Sequence, residues 1–139
     1  MIETFTTHSE IETAAAGRRL APALSAGSVV LLVGELGAGK TAFVRGLAEG
    51  LGVSPSEVSS PTFTLIQEYR GGRVLLLHVD LYRLNDAREI EDLGLDELGS
   101  AAALAIEWAD RLPRVPPGAI HVLIEHAAND SERRVTIET

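Results

Sequence analysis

Residues 34–41 read Gly34, Glu35, Leu36, Gly37, Ala38, Gly39, Lys40, Thr41, a match to G-x-x-x-x-G-K-[ST] that directly follows the apolar run 29–33. This order ties a buried strand, an anion-cradling loop and a helix into one unit, and it commits the chain to an α/β architecture. Glycines open backbone conformations closed to other residues, so successive N–H groups can converge on a phosphate with no Cβ in the way. The helix that follows, through "KTAFVRGLAEGL", aims the positive end of its macrodipole at the same place. Lys40 is the only lysine in a chain whose Lys+Arg total is 12. Its compact, flexible ammonium follows phosphate oxygens in a way that a planar guanidinium does less well. Thr41 offers a hydroxyl to a magnesium ion bridging terminal phosphates.

The rest of the chain alternates strand and helix patterns. Residues 7–24 are expected to form a helix, with Thr7 and Glu10 at capping-box spacing and a patchy stripe of Ile11, Ala14, Ala15, Leu20 and Leu24, its last turn disturbed by Pro22. A strand over 28–33, the glycine loop and a helix closing near Gly50 or Gly52 come next. In "TFTLIQEYRGGRVLLLHVD", Phe63, Leu65, Gln67 and Tyr69 alternate with Thr64, Ile66 and Glu68, and Gly71-Gly72 is expected to turn the chain tightly into a strand over 74–79. That hairpin is an insertion. "DAREIEDLGLDELG" predicts short acidic helical pieces, "ALAIE" a short buried strand, and "AIHVLIEHA" with "RRVTIET" a closing antiparallel pair. The expected fold is a P-loop NTPase-like α/β three-layer sandwich with a mixed, mostly parallel sheet and an inserted β-hairpin, the whole span 1–139 forming one domain.

Composition narrows the functional classes. The sequence has 139 residues and no cysteine, which removes disulfides, thiolate chemistry and cysteine-based zinc sites, and fits a reducing compartment. The opening "MIETFTTHSEIE" is polar and acidic, unlike a signal peptide, and no apolar run reaches membrane-spanning length, so a cytoplasmic location is expected. A formal net charge of -8 makes the surface repel phosphate backbones. Autonomous RNA or DNA binding is therefore not expected, and a nucleic-acid role would pass through a partner.

A phosphate loop binds; hydrolysis also needs a carboxylate for the metal and a group to orient water. Asp80 ends the run "VLLLHV" and Glu107 ends "ALAI", and in open α/β sheets such strand ends face the ligand crevice. Either can hold magnesium while the other helps to place water; the alternative for each is capping a following helix. Thr62 in "SSPTFT" has the position of a switch residue sensing the terminal phosphate, or it is a β-branched residue starting a strand. Arg83 in "DLYRL" either stabilises transferring charge or pairs with the acidic segment after it. His78, between leucine and valine, reads as a hydrogen-bonded structural histidine before a general base. Trp108, the only tryptophan, belongs to the core, or shields a nucleotide or meets a partner. The run "EIEDLGLDEL" reads as a solvated helix face, with docking of a basic partner as the alternative.

Taken in order, "GELGAGKT", "SSPTFTL", "HVDLYRL" and "IEW" closely resemble the bacterial TsaE family, also called YjeE, over almost the whole chain. The match is weakest after Trp108. The resemblance implies an ATPase needed for threonylcarbamoyladenosine, the modified nucleoside beside the anticodon of tRNAs that read codons beginning with adenosine. It implies work with a TsaB-TsaD pair, in which TsaD carries the transfer chemistry, ATP binding supports association and hydrolysis resets the complex. By the same similarity Thr41 and Glu107 are magnesium ligands with Asp80 near the metal and water, and Thr62, Asp80, Glu107 and Trp108 fall on family motif positions. The resemblance places the adenine near the segment from Ser9 through Glu10 to Ile11 and near the loop before Arg133.

Other classes remain in view. A small-molecule kinase uses the same loop, but needs a lid or an acceptor pocket with clustered arginines, and the arginines here are scattered. A GTPase reads guanine with N-K-x-D, which needs a second lysine; the D-x-x-G match at residues 96–99 falls inside an expected helix. A nucleotide-dependent binding module with negligible turnover of its own overlaps the ATPase.

Overall fold

The computed structural model describes residues 1–35, 38–54 and 65–139. In chain order the elements are β1 (Ile2–Thr7), α1 (Glu10–Leu20), a 3-10 turn (Ala21–Ala23), β2 (Val29–Gly34), α2 (Lys40–Leu51), β3 (Ile66–Tyr69), β4 (Leu76–Asp80), α3 (Ala87–Glu91), α4 (Leu95–Gly99), β5 (Ala103–Glu107), a second 3-10 turn (Ala109–Arg111), β6 (Ile120–His126) and β7 (Arg133–Glu138). They form one mixed sheet of seven strands in the order β1-β7-β6-β2-β5-β4-β3. The four central strands β6, β2, β5 and β4 are parallel, while β3 and the β7-β1 edge run antiparallel to their neighbours.

Strand alternation sorts the core into two layers. On one face Val30, Leu32, Leu76, Ala103, Ala105, Val122 and Ile124 pack under α1 and α2. On the other, Leu31, Leu77, Val79, Leu104 and Ile106 pack against Ile90 of α3 and the segment around Ala109. The same parity carries the chain's polar residues. His78 and Asp80 share the α2 side of β4 with Leu76, and Glu107 shares the α2 side of β5 with Ala103 and Ala105.

Helices α1 and α2 cross through glycine. A Cβ at Gly46 would fall 1.7 Å from the Ala14 carbonyl oxygen, and one at Gly17 would fall 2.1 Å from that of Phe43. This backbone-to-backbone contact sets α1 against the helix that carries the phosphate loop.

Three expectations need correction. The first helix starts at Glu10 rather than at residue 7, because the S/T-x-x-E spacing occurs twice and the second instance wins: Ser9 Oγ accepts from Glu12 N at 3.1 Å, and Glu12 Oε1 accepts from His8 N at 2.9 Å. Residues 2–7 instead form edge strand β1, paired with β7 alone, and α1 ends at Leu20 with Pro22 inside the 3-10 turn. Third, Gly71-Gly72 does not make a tight turn, since Tyr69 pairs with Leu76 and residues 70–75 form a longer connection. Its length has a cause: Arg73 N donates to Leu51 O at 2.6 Å and the Arg73 guanidinium donates to Ala21 O and Leu24 O, tying the loop to the ends of both helices.

Candidate functional site

The first glycine of the loop motif is the last residue of β2, and Gly39 precedes α2 with φ of 108°, a left-handed conformation that glycine adopts without strain. Lys40 and Thr41 therefore begin α2 beside the C-terminal ends of β4 and β5. Asp80 and Glu107 are register partners at those two strand ends, and both are buried. Tertiary pairing thus brings Lys40, Thr41, Asp80 and Glu107 together from three separate stretches of chain.

Lys40 Nζ donates to Gly34 O at 2.5 Å and lies 4.0 Å from the centroid of the Trp108 ring. Burial lowers the pKa of its ammonium, and the charges of Glu107, Asp80 and Asp110 oppose that shift. Thr41 Oγ1 donates to Glu107 Oε2 at 3.4 Å. The same Oε2 lies 2.5 Å from His78 Nε2, and His78 Nδ1 lies 3.1 Å from the Tyr69 hydroxyl. Asp80 Oδ1 accepts from Tyr82 N at 2.8 Å, an Asx turn; the residue that caps α3 is Asp86, not Asp80. Glu107 caps no helix through its side chain either, since the 3-10 turn after β5 is preceded by Trp108 without a side-chain cap.

Trp108 holds φ of 59°, the left-handed region that a bulky residue enters only where its surroundings impose it. Those surroundings are Lys40 over one ring, Tyr82 with ring centroids 5.0 Å apart, and the Arg111 guanidinium at 5.7 Å. Arg111 is in turn fixed by Leu84 O and Asn85 Oδ1, each at 3.0 Å. Tyr82 falls inside the HVDLYRL motif but with nothing to mark it as a stacking residue, and Arg111 lies outside every motif, because stacking partners follow no spacing rule.

The two segments expected near an adenine do lie together. His8 Nε2 is 3.5 Å from Glu132 Oε1, and a Cβ at Gly39 would meet the Thr13 side chain at 3.6 Å, so the start of α1 flanks both the phosphate loop and the turn before β7. Glu10 is exposed on the first turn of α1. Arg133 donates from Nε to Ala38 O at 3.1 Å, which ties β7 to the loop itself. Ala38 is buried and Glu35 exposed. Arg83 is exposed in the turn after β4. Leu36, Gly37 and Thr62 lie outside the described residues.

Among the described residues no three His, Cys, Asp or Glu side chains converge as a self-sufficient metal site. The oxygen set Thr41 Oγ1 and Glu107, with Asp80 alongside, instead fits a hard cation such as magnesium, which takes one or two protein ligands and fills its shell with phosphate oxygens and water. The arrangement can bind a phosphate chain with main-chain amides and an ammonium, and present carboxylates to a metal and a water at its end.

Comparison with known proteins gives a consistent answer. The family described as "Threonylcarbamoyl adenosine biosynthesis protein TsaE" matches residues 7–135. A Bacillus subtilis protein named "tRNA threonylcarbamoyladenosine biosynthesis protein TsaE" is 44% identical over 128 residues, covering 90% of this chain and 78% of its own length. Its namesake from Streptomyces coelicolor is 42% identical, covering 87% of this chain and 86% of its own length. The namesake from Synechocystis is 46% identical over 105 residues, which span 72% of this chain and 66% of that protein. The crystal structure of Bacillus subtilis YdiB superposes with a TM-score of 0.76 at 34% identity, over 99% of this chain and 84% of that one.

Proposed function

This chain belongs to the TsaE family of threonylcarbamoyl adenosine biosynthesis proteins, and from that premise we propose that it is a magnesium-dependent ATPase required for tRNA threonylcarbamoyladenosine modification. It acts with a TsaB-TsaD pair and resets that pair through ATP binding and hydrolysis. The observation that carries the proposal is the meeting of Lys40, Thr41, Asp80 and Glu107 at the strand ends beside the glycine loop.

In this account the loop amides and the N-terminus of α2 receive the β- and γ-phosphates. Lys40 exchanges its bond to Gly34 O for a phosphate oxygen, a local rotation for a side chain already stacked on Trp108. Thr41 and Glu107 would hold magnesium, which when bound would supply positive charge against the transferring phosphoryl group. Asp80, fixed by Tyr82 N, orients the attacking water. Glu10 and Arg133 border the nucleoside end, and Trp108, stacked on Lys40, borders the phosphate end. The acidic surface accords with RNA being handled by the partners.

The test is γ-phosphate release by the purified chain, alone and with the TsaB-TsaD pair, with glycerol and nucleosides offered as acceptors. Slow magnesium-dependent hydrolysis that changes when the pair is added supports the proposal. Phosphate delivered to an acceptor, with indifference to the pair, replaces it with a kinase.

A further inference from the structure

A line of polar side chains, buried except for the half-buried Gln67 at its far end, stands behind Glu107. Gln67 and Tyr69 on β3, His78 on β4 and Glu107 on β5 lie on the α2 side of the sheet, with Gln67 in register with His78 and His78 with Ala105. The Tyr69 hydroxyl lies 2.8 Å from Gln67 Oε1 and 3.1 Å from His78 Nδ1, and His78 Nε2 lies 2.5 Å from Glu107 Oε2. His78 is fully buried, Tyr69 is 2% exposed and Glu107 4%.

Burying a histidine and a carboxylate side by side costs solvation that an apolar pair would not. What this pair gives in return is geometry. A carboxylate only accepts, so His78 Nε2–H donates to Oε2, the very oxygen to which Thr41 Oγ1 also points. His78 is in register with Ala105, two residues before Glu107, so its imidazole reaches the Glu107 carboxylate diagonally across the two strands. On its far side the ring is fixed by Tyr69, itself held by Gln67. A mobile Glu107 would otherwise be free to turn toward Lys40.

We propose that His78 is a positioning residue that holds the Glu107 carboxylate facing Thr41 for the metal, with Tyr69 and Gln67 holding the imidazole. This rests on the magnesium-dependent ATPase proposed above. Carboxylate ligands are commonly held by such an outer hydrogen bond, whose loss costs about 10- to 100-fold in metal affinity or activity.

The experiment is calorimetric titration of the full chain with the non-hydrolysable analogue AMPPNP, in EDTA and in saturating magnesium, with the melting temperature of each variant recorded without nucleotide. The wild type should bind more tightly with magnesium. His78→Phe should lose that gain by about 10- to 100-fold while its affinity in EDTA is unchanged. His78→Gln, which can still donate toward Glu107, should recover most of it, and Tyr69→Phe should lose a smaller part. A folded His78→Phe that keeps the full magnesium gain, or a His78→Gln no better than it, overturns the proposal alone. If neither His78 variant folds, Tyr69→Phe decides: a loss supports the proposal and an unchanged gain overturns it. A wild type that gains nothing from magnesium overturns this proposal together with the ATPase on which it rests.

Discussion

Lys40 is the one lysine among 12 basic residues, and its neighbours explain what an ammonium does there. It sits against a carbonyl and an indole face with carboxylates close by, a pocket that suits a small charge on a flexible stem. Lys40→Ala should weaken ATP binding by about 10- to 100-fold, the loss of one charge-assisted contact, read by equilibrium nucleotide titration. Lys40→Arg tests the choice of cation: turnover should fall, and full turnover would show that the compact ammonium is not the reason for the lysine. Glu107→Ala should retain measurable nucleotide binding and lose hydrolysis by about 100-fold or more in a phosphate-release assay. Much of this residue-level picture was legible in sequence. A strand of buried apolar residues that stops at a carboxylate announces both Asp80 and Glu107. The stacking of Tyr82 and Arg111 on Trp108 was not legible, because it depends on contacts between the turns after β4 and β5. Nor did the sequence reveal that His78 reaches Glu107, which requires the register of β3, β4 and β5.

At the scale of elements, α1 and α2 form the platform on which the loop rests. Gly46 and Gly17 allow their backbones to touch, so Gly46→Ala should destabilise the fold by about 1–3 kcal/mol in urea unfolding, by forcing the helices apart. Ser9→Ala should cost about 0.5–2 kcal/mol through loss of the cap on α1. The central strands were legible because burial on both faces demands unbroken apolar runs, as in β5, where all five residues are buried. Strand β1 was not, since an edge strand with most residues exposed needs little apolar periodicity; only its β-branched content, Ile2, Thr4, Thr6 and Thr7, hinted at it. The choice between Thr7 and Ser9 as helix cap could not be made locally either, because pairing of residues 2–7 with β7 commits Thr7 to the sheet.

For the whole molecule, the sheet gathers the loop, the metal-ligand candidates and the proposed nucleoside border at the C-terminal ends of its central strands. No helix among the described residues is long and apolar enough to cross a membrane. With a net charge of -8, the chain by itself should show no appreciable affinity for tRNA at physiological salt in a filter-binding assay. Its contribution to tRNA chemistry should then depend on the TsaB-TsaD pair, and its turnover should respond to that pair. The most direct measurement is magnesium-dependent γ-phosphate release with the TsaB-TsaD pair present, wild type against Glu107→Ala, nucleotide occupancy being checked in both. The account predicts steady release by the wild type that vanishes in EDTA and falls about 100-fold or more in the variant; equal release by the two, with nucleotide bound, would contradict it.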